Sequence, residues 1–180
     1  MKREWTTIEV LRHARHDWLN KLQLIKGNLA LNKIDRVKEI IDEVVFEARQ
    51  ETILSNLNIP QFASLLLTYN WENNLLSLEY EILEPAKIRP GELQDEQLAE
   101  WTMELLGLLN RSVDEYAENS LSVSVEPENE GIRFFFDFRG IIKRIDDVNQ
   151  FFSRSASFQK KILHSANDEF TLEVFLPYLS

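Results

Sequence analysis

Two long apolar patterns of helical period open the chain, separated by only four residues, and this pairing restricts the fold more than any other feature. Thr6-x-x-Glu9 has the form of a capping box. Leu11, Ala14, Trp18, Leu22, Ile25 and Leu29 then recur at three- and four-residue steps with no proline among them. The pattern predicts a helix from Thr7 to Leu31, about 37 Å long at about 1.5 Å per residue. Asn32-Lys33-Ile34-Asp35 breaks it, with Asn32 or Asp35 able to cap a second helix. Val37, Ile41, Val44 and Ala48, flanked by Ile40 and Val45, mark that helix to about Leu54. So short a connection makes the helices antiparallel neighbours. Two helices cannot enclose a core, so two hairpins are expected to pair as a dimeric four-helix bundle.

Beyond Asn56 the pattern changes. Pro60 can begin a short helix to about Tyr69, and Leu76 to Leu83 alternates as a strand. Asp95 can cap a helix through Leu98, Trp101, Leu105, Leu108 and Val113, ending near Asn119. Leu121–Val125 and Ile132–Phe138 flank a turn at Glu128-Asn129-Glu130-Gly131 and read as a hairpin. Phe158–Leu163 and Phe170–Leu176, joined through Asn167-Asp168, form a final strand pair. The fold class expected is α+β: a helical hairpin over residues 1–57 and an α/β sandwich over 58–180, its helices on one face of a sheet.

Composition narrows the functions. No cysteine is present, which removes disulfides, thiolate catalysis and zinc-thiolate sites. No run of 18 apolar residues occurs, so no membrane span is expected, and Met1-Lys2-Arg3-Glu4-Trp5 lacks the apolar stretch of a signal peptide. A cytoplasmic protein is the simplest expectation. The net charge of −10 argues against direct nucleic-acid binding. Residues 1–33 nevertheless carry +4, from Lys2, Arg3, Arg12, Arg15, Lys21, Lys26 and Lys33 against Glu4, Glu9 and Asp17. A basic first helix on an acidic body suits an acidic or phosphorylated partner.

Only three histidines are available for chemistry: His13, His16 and His164. His164 stands alone near a strand end and reads as structural. At about 100° per residue, His16 lies roughly 150° from the apolar stripe and faces outward. Asn20, Gln23 and Gly27 lie within about 40° of it, and His13 about 60° away. Leu19 and Leu24 border this polar line, as a docking surface requires. Gly27 costs its helix about 1 kcal/mol relative to alanine and leaves room for a partner. Arg12, Arg15, Lys21 and Lys26 gather positive charge around His16. Neutral imidazole is a usable nucleophile near physiological pH. Metal binding by His13 and His16 is the weaker reading, because no HExxH pattern supplies further ligands.

The eighteen residues Arg12-His-Ala-Arg-His-Asp-Trp-Leu-Asn-Lys-Leu-Gln-Leu-Ile-Lys-Gly-Asn-Leu29 closely resemble the first helix of the sporulation initiation phosphotransferase B family of spore-forming bacilli. The resemblance continues through Asp35-Arg-Val37, Leu54-Ser-Asn-Leu57, Tyr69-Asn-Trp71, Leu78-Glu-Tyr-Glu81 and Phe136-Asp-Phe138. Its His-Asp-x-x-Asn core is also similar to the phosphoacceptor helix of sensor histidine kinases. The resemblance implies a cytoplasmic homodimer with a histidine-kinase ATPase-like second domain. It implies a phosphorelay in which His16 takes a phosphoryl group from the aspartate of a single-domain response regulator. His16 then passes the group to the receiver of a transcription factor. Arg15, Asp17, Asn20, Gln23 and Gly27 would contact the phosphoryl group or the docked receiver, and each receiver would bring its own Mg²⁺.

The resemblance to the ATPase domain is degenerate where nucleotide would bind. Arg111 stands where the magnesium-binding asparagine aligns, with Asn110 beside it. Asp137-Phe-Arg-Gly140 is similar to the nucleotide-contacting Asp-x-Gly-x-Gly, but Arg139 replaces the first glycine and no Gly-x-Gly loop comes after it. Glycine-poor loops suit phosphates badly, so no ATP is expected and Asp137 reads as structural. An ATP-dependent histidine autokinase and a non-catalytic adaptor for receivers remain the alternatives.

Overall fold

A computed structural model describes residues 5–72, 74–83 and 93–179; Lys2, Arg3 and Glu4 of the basic opening lie outside the described residues. The chain divides into two compact units, Met1–Glu51 and Thr52–Ser180.

The first unit is a helical hairpin. Helix α1 (Thr7–Ala30) opens with the capping box expected: Thr6 N–H donates to Glu9 Oε2 at 2.9 Å, and Glu9 N–H donates to Thr6 Oγ1 at 3.3 Å. Asn32 does not cap the second helix. It takes φ of 56° and ends the first. Its N–H donates to Leu29 O at 3.0 Å and that of Lys33 to Asn28 O at 2.9 Å, so asparagine fills the left-handed position usually held by glycine. Helix α2 (Ile34–Ser55) comes next, with Asp35 in its first turn 3.3 Å from Lys38 Nζ. An ion pair of Lys21 with Glu47 ties the antiparallel helices together. Val37 and Ile40 are buried, whereas α1 buries no residue fully and leaves Leu11, Trp18, Leu22 and Leu29 exposed.

The division falls inside α2 because its last turn belongs to the second core, where Leu54, Leu57 and Ile59 are buried. The second unit runs α3 (Pro60–Thr68), a 3₁₀ turn (Tyr69–Trp71), β1 (Ser77–Ile82), α4 (Asp95–Ser112), β2 (Ser120–Pro127), β3 (Gly131–Arg139), α5 (Ile145–Ser153), β4 (Gln159–Ser165) and β5 (Glu169–Pro177). The sheet order is β1-β2-β3-β5-β4. β1 lies parallel to β2, as the α4 crossover allows, and the remaining pairs are antiparallel. Alternate residues such as Val123, Phe134, Phe136, Leu172 and Val174 are fully buried, while Ser122, Arg133, Asp137 and Glu173 occupy the opposite, partly exposed face. Trp101 of α4 joins the layers, with ring centroids 5.6 Å from Phe136, 5.4 Å from Phe151 and 5.6 Å from Phe158.

Three elements differ from expectation. Asp95 sits inside α4, after an N-cap at Gln94, and its carboxylate accepts from the Gln61 and Phe62 N–H groups at 2.8 and 2.9 Å. It therefore caps α3, whose own N-cap residue, Ile59, has no side-chain acceptor. Helix α4 ends at Ser112 and not near Asn119. The polar run Asp114–Asn119 has no apolar face to bury; Asp114 instead accepts the Tyr116 N–H at 2.9 Å and turns the chain. Helix α5 lies outside the expected elements, although Ile145, Val148 and Phe152 carry helical spacing; nine residues give too short a pattern to separate from a loop.

Candidate functional site

Helix α1 presents His16 to solvent, with 71% of its side chain exposed. The ring nitrogen Nδ1 lies 3.4 Å from Asp17 Oδ1 and 3.3 Å from Asn20 Nδ2. Helical side chains lean towards the N-terminus, which brings the Asn20 amide back over the ring one turn earlier. Asp17, although adjacent in sequence, reaches the same nitrogen from the side. An ionised carboxylate only accepts and an amide nitrogen only donates, so the two contacts belong to opposite tautomers, and the Asp17 pairing selects the one with the proton on Nδ1. In that tautomer Nε2 carries the lone pair, and it makes no hydrogen bond with any described residue.

Arg12, Arg15, Gln23, Lys26 and Gly27 are exposed on α1. A Cβ built on Gly27 would meet nothing within 4 Å, so packing within this chain does not demand the glycine. Lys21 departs from the expected basic cluster, since its ammonium is engaged by Glu47 of α2. His13 is half buried, its ring meeting that of Trp5 edge-on at 5.0 Å. His164 lies on β4 with Nε2 3.3 Å from Glu169 Oε1.

The nucleotide-like motifs of the second unit are occupied by local structure. Asn110 donates to Leu106 O at 3.0 Å and to the Tyr69 hydroxyl, and it accepts the Leu75 N–H at 3.0 Å. Burial pushes the Tyr69 phenol up to about 12, against the opposing effect of the Asn110 hydrogen bond. Asp137 lies on the sheet face away from the buried core and accepts the Thr171 hydroxyl at 2.7 Å. Gly140 has φ of 155°, and a Cβ there would stand 2.3 Å from Asn119 Oδ1, so close packing on Asn119 accounts for this glycine. Among the described residues no group of three histidine or acidic side chains could hold a metal ion, and no helix is long and apolar enough to cross a membrane.

Comparison with known proteins also divides the chain in two, six residues further on than the compact units do. Residues 1–57 match the family model of the sensor-kinase SpoOB-type alpha-helical domain, and residues 58–177 that of the C-terminal domain of sporulation initiation phosphotransferase B. The sporulation initiation phosphotransferase B of Bacillus subtilis (strain 168) is 41% identical over 148 residues, covering 79% of this chain and 76% of that protein. Among solved structures, the catalytic domain of histidine kinase ThkA matches with a TM-score of 0.43 at 10% identity, covering 69% of this chain and 92% of its own. The Acinetobacter baumannii histidine kinase AdeS matches with a TM-score of 0.42 at 10% identity, over 92% of this chain and 98% of its own. At such low scores the assignment rests on the family models and the Bacillus relative.

Proposed function

The chain belongs to the sporulation initiation phosphotransferase B family, and from that premise we propose that it is a phosphorelay histidine phosphotransferase whose phosphorylated residue is His16. The observation that carries this reading is the exposed His16 ring, whose Nδ1 pairs with the Asp17 carboxylate and leaves Nε2 free.

The reaction needs little from this chain beyond a positioned nucleophile. The Nε2 lone pair attacks the phosphorus of an aspartyl phosphate on a docked receiver. The N–P bond forms as the P–O bond to the aspartate breaks, and the aspartate leaves as carboxylate. The Nδ1 proton stays in place, so the positive charge that develops on the ring faces the Asp17 carboxylate. Attack by the carboxylate of a second receiver reverses the step and restores neutral His16. The receivers, a single-domain donor and a transcription-factor acceptor, supply the Mg²⁺ that stabilises the in-line transfer. Arg15, Gln23 and Gly27 form the docking surface around the nucleophile.

The exposed Leu11, Trp18, Leu22 and Leu29 support a homodimer in which two hairpins form a four-helix bundle. The engagement of Asn110 by Leu75 and Tyr69 supports a second domain, over 58–180, that takes no ATP. A cytoplasmic location fits such partners.

The test is transfer of labelled phosphoryl from a phosphorylated receiver domain, comparing wild type with His16→Gln. Acid-labile, base-stable label on wild type alone is expected. A wild type that binds the receiver yet takes no label overturns the reading in favour of an adaptor. Label from ATP without any receiver would favour an autokinase.

A further inference from the structure

Arg12 lies one turn before His16, about 40° from it on the helical wheel. Arg12, His16 and Asn20 thus form a single row at four-residue spacing. Side chains on this helix lean towards its N-terminus, as the Asn20 amide does in reaching His16 Nδ1. By the same geometry the His16 ring overlies the turn that begins at Arg12. Arg15 lies outside this row, about 100° from His16 on the wheel.

The charge pattern leaves the Arg12 guanidinium uncommitted. The acid within helical reach on its N-terminal side is Glu9, whose carboxylate already accepts both the N–H and the hydroxyl of Thr6, at 2.9 and 2.8 Å. Residues 15 and 16, three and four positions on, are Arg and His. Three other cations of the hairpin are taken by acids, Lys21 by Glu47, Arg36 by Glu39 and Glu43, and Lys38 by Asp35, whereas Arg15, Lys26, Lys33 and Arg49 form no ion pair among the described residues. Arg12 is exposed and has no such partner among the described residues.

Building on the relay reading, we propose that Arg12 binds the phosphoryl group in transit on His16. A guanidinium offers two parallel N–H donors that match two phosphoryl oxygens, and such charge-assisted pairs are about twice as strong as neutral ones. Bound there, Arg12 opposes the negative charge of the transferring group. It makes and breaks no bond. Its contribution is to the rate of transfer in both directions and to the lifetime of the phosphohistidine.

The experiment uses the full chain and a receiver domain labelled with acetyl phosphate, with single-turnover transfer measured for wild type, Arg12→Gln, Arg12→Lys and Lys33→Gln. Arg12→Gln is expected to slow transfer roughly 10- to 100-fold, as for loss of one charged donor. Arg12→Lys should recover part of the rate, since it restores charge without the paired donors. Lys33→Gln, which removes the same charge 17 residues beyond His16 and past the end of α1, should change it less than about threefold, as for a screened surface charge. Receiver affinity, measured separately, should hold for Arg12→Gln. Labelled wild type with Arg12→Gln equally fast, or Lys33→Gln equally slow, overturns the role of Arg12 and leaves the relay standing. An unlabelled wild type overturns both.

Discussion

The side-chain amide of Asn20 stands 3.3 Å from Nδ1 of His16, one helical turn back along α1. Together with Asp17 at 3.4 Å, it places every contact of the ring at one nitrogen and leaves the other to a partner. The geometry ties tautomer to function.

Asp17→Asn is therefore expected to slow phosphoryl transfer roughly 10- to 100-fold, because an amide no longer balances the charge that develops on the ring. Far-ultraviolet circular dichroism should be unchanged, since Asp17 is half exposed. Transfer at the wild-type rate would remove Asp17 from the chemistry.

Gly27→Ala should separate stability from function. A Cβ at this position meets nothing within 4 Å, so the variant should stabilise α1 by about 1 kcal/mol. Thermal or urea unfolding would register the gain. Receiver docking should weaken, because the methyl group fills the approach; a variant that is both more stable and fully active would show that no partner comes close there.

Leu22→Arg should break the dimer proposed for the hairpin. Leu22 is 54% exposed in a single chain, and a charge placed in an apolar seam is costly. Sedimentation equilibrium is expected to show monomer where wild type shows dimer. A dimeric Leu22→Arg would locate the interface elsewhere.

Removing the carboxylate of Asp95 is expected to destabilise the second unit by about 1–2 kcal/mol, because two backbone N–H groups of α3 lose their acceptor. Asp95→Ala should lower the urea midpoint, and Asp95→Asn should recover part of it. Equal stability of wild type and alanine variant would show that solvent caps α3 as well.

Acid should expose the contribution of Asp114. Its carboxyl is held below the usual aspartate range, first by the Tyr116 N–H and then by Lys143. A depressed folded-state pKa stabilises the protein above the unfolded value, near 4, and the benefit fades as pH falls through the folded one. Asp114→Asn should therefore be less stable than wild type at neutral pH, with the difference shrinking in unfolding curves taken at progressively lower pH. A difference that stays constant into acid would assign the loss to packing.

Local sequence was sufficient for the hairpin. The capping box at Thr6 and Glu9, the strip of His16, Asn20, Gln23 and Gly27, and the strand pairs with their turns are all readable because their determinants lie within a few residues of one another. The helical period alone predicts that His16 faces outward, and the structure places it there.

Long-range partners decided the rest. Asp95 has the right type and position to cap its own helix, yet it caps α3, because 34 residues earlier the Gln61 N–H had no acceptor of its own. Lys21 reads as part of a basic cluster until α2 brings Glu47 beside it. Asn110 reads as a displaced ligand until the fold supplies Tyr69 and Leu75 as its partners. Periodicity reports which face of an element is apolar, and it does so from the sequence. Which acceptor a given donor meets depends on chain segments far apart in sequence, and only the packed fold brings those together.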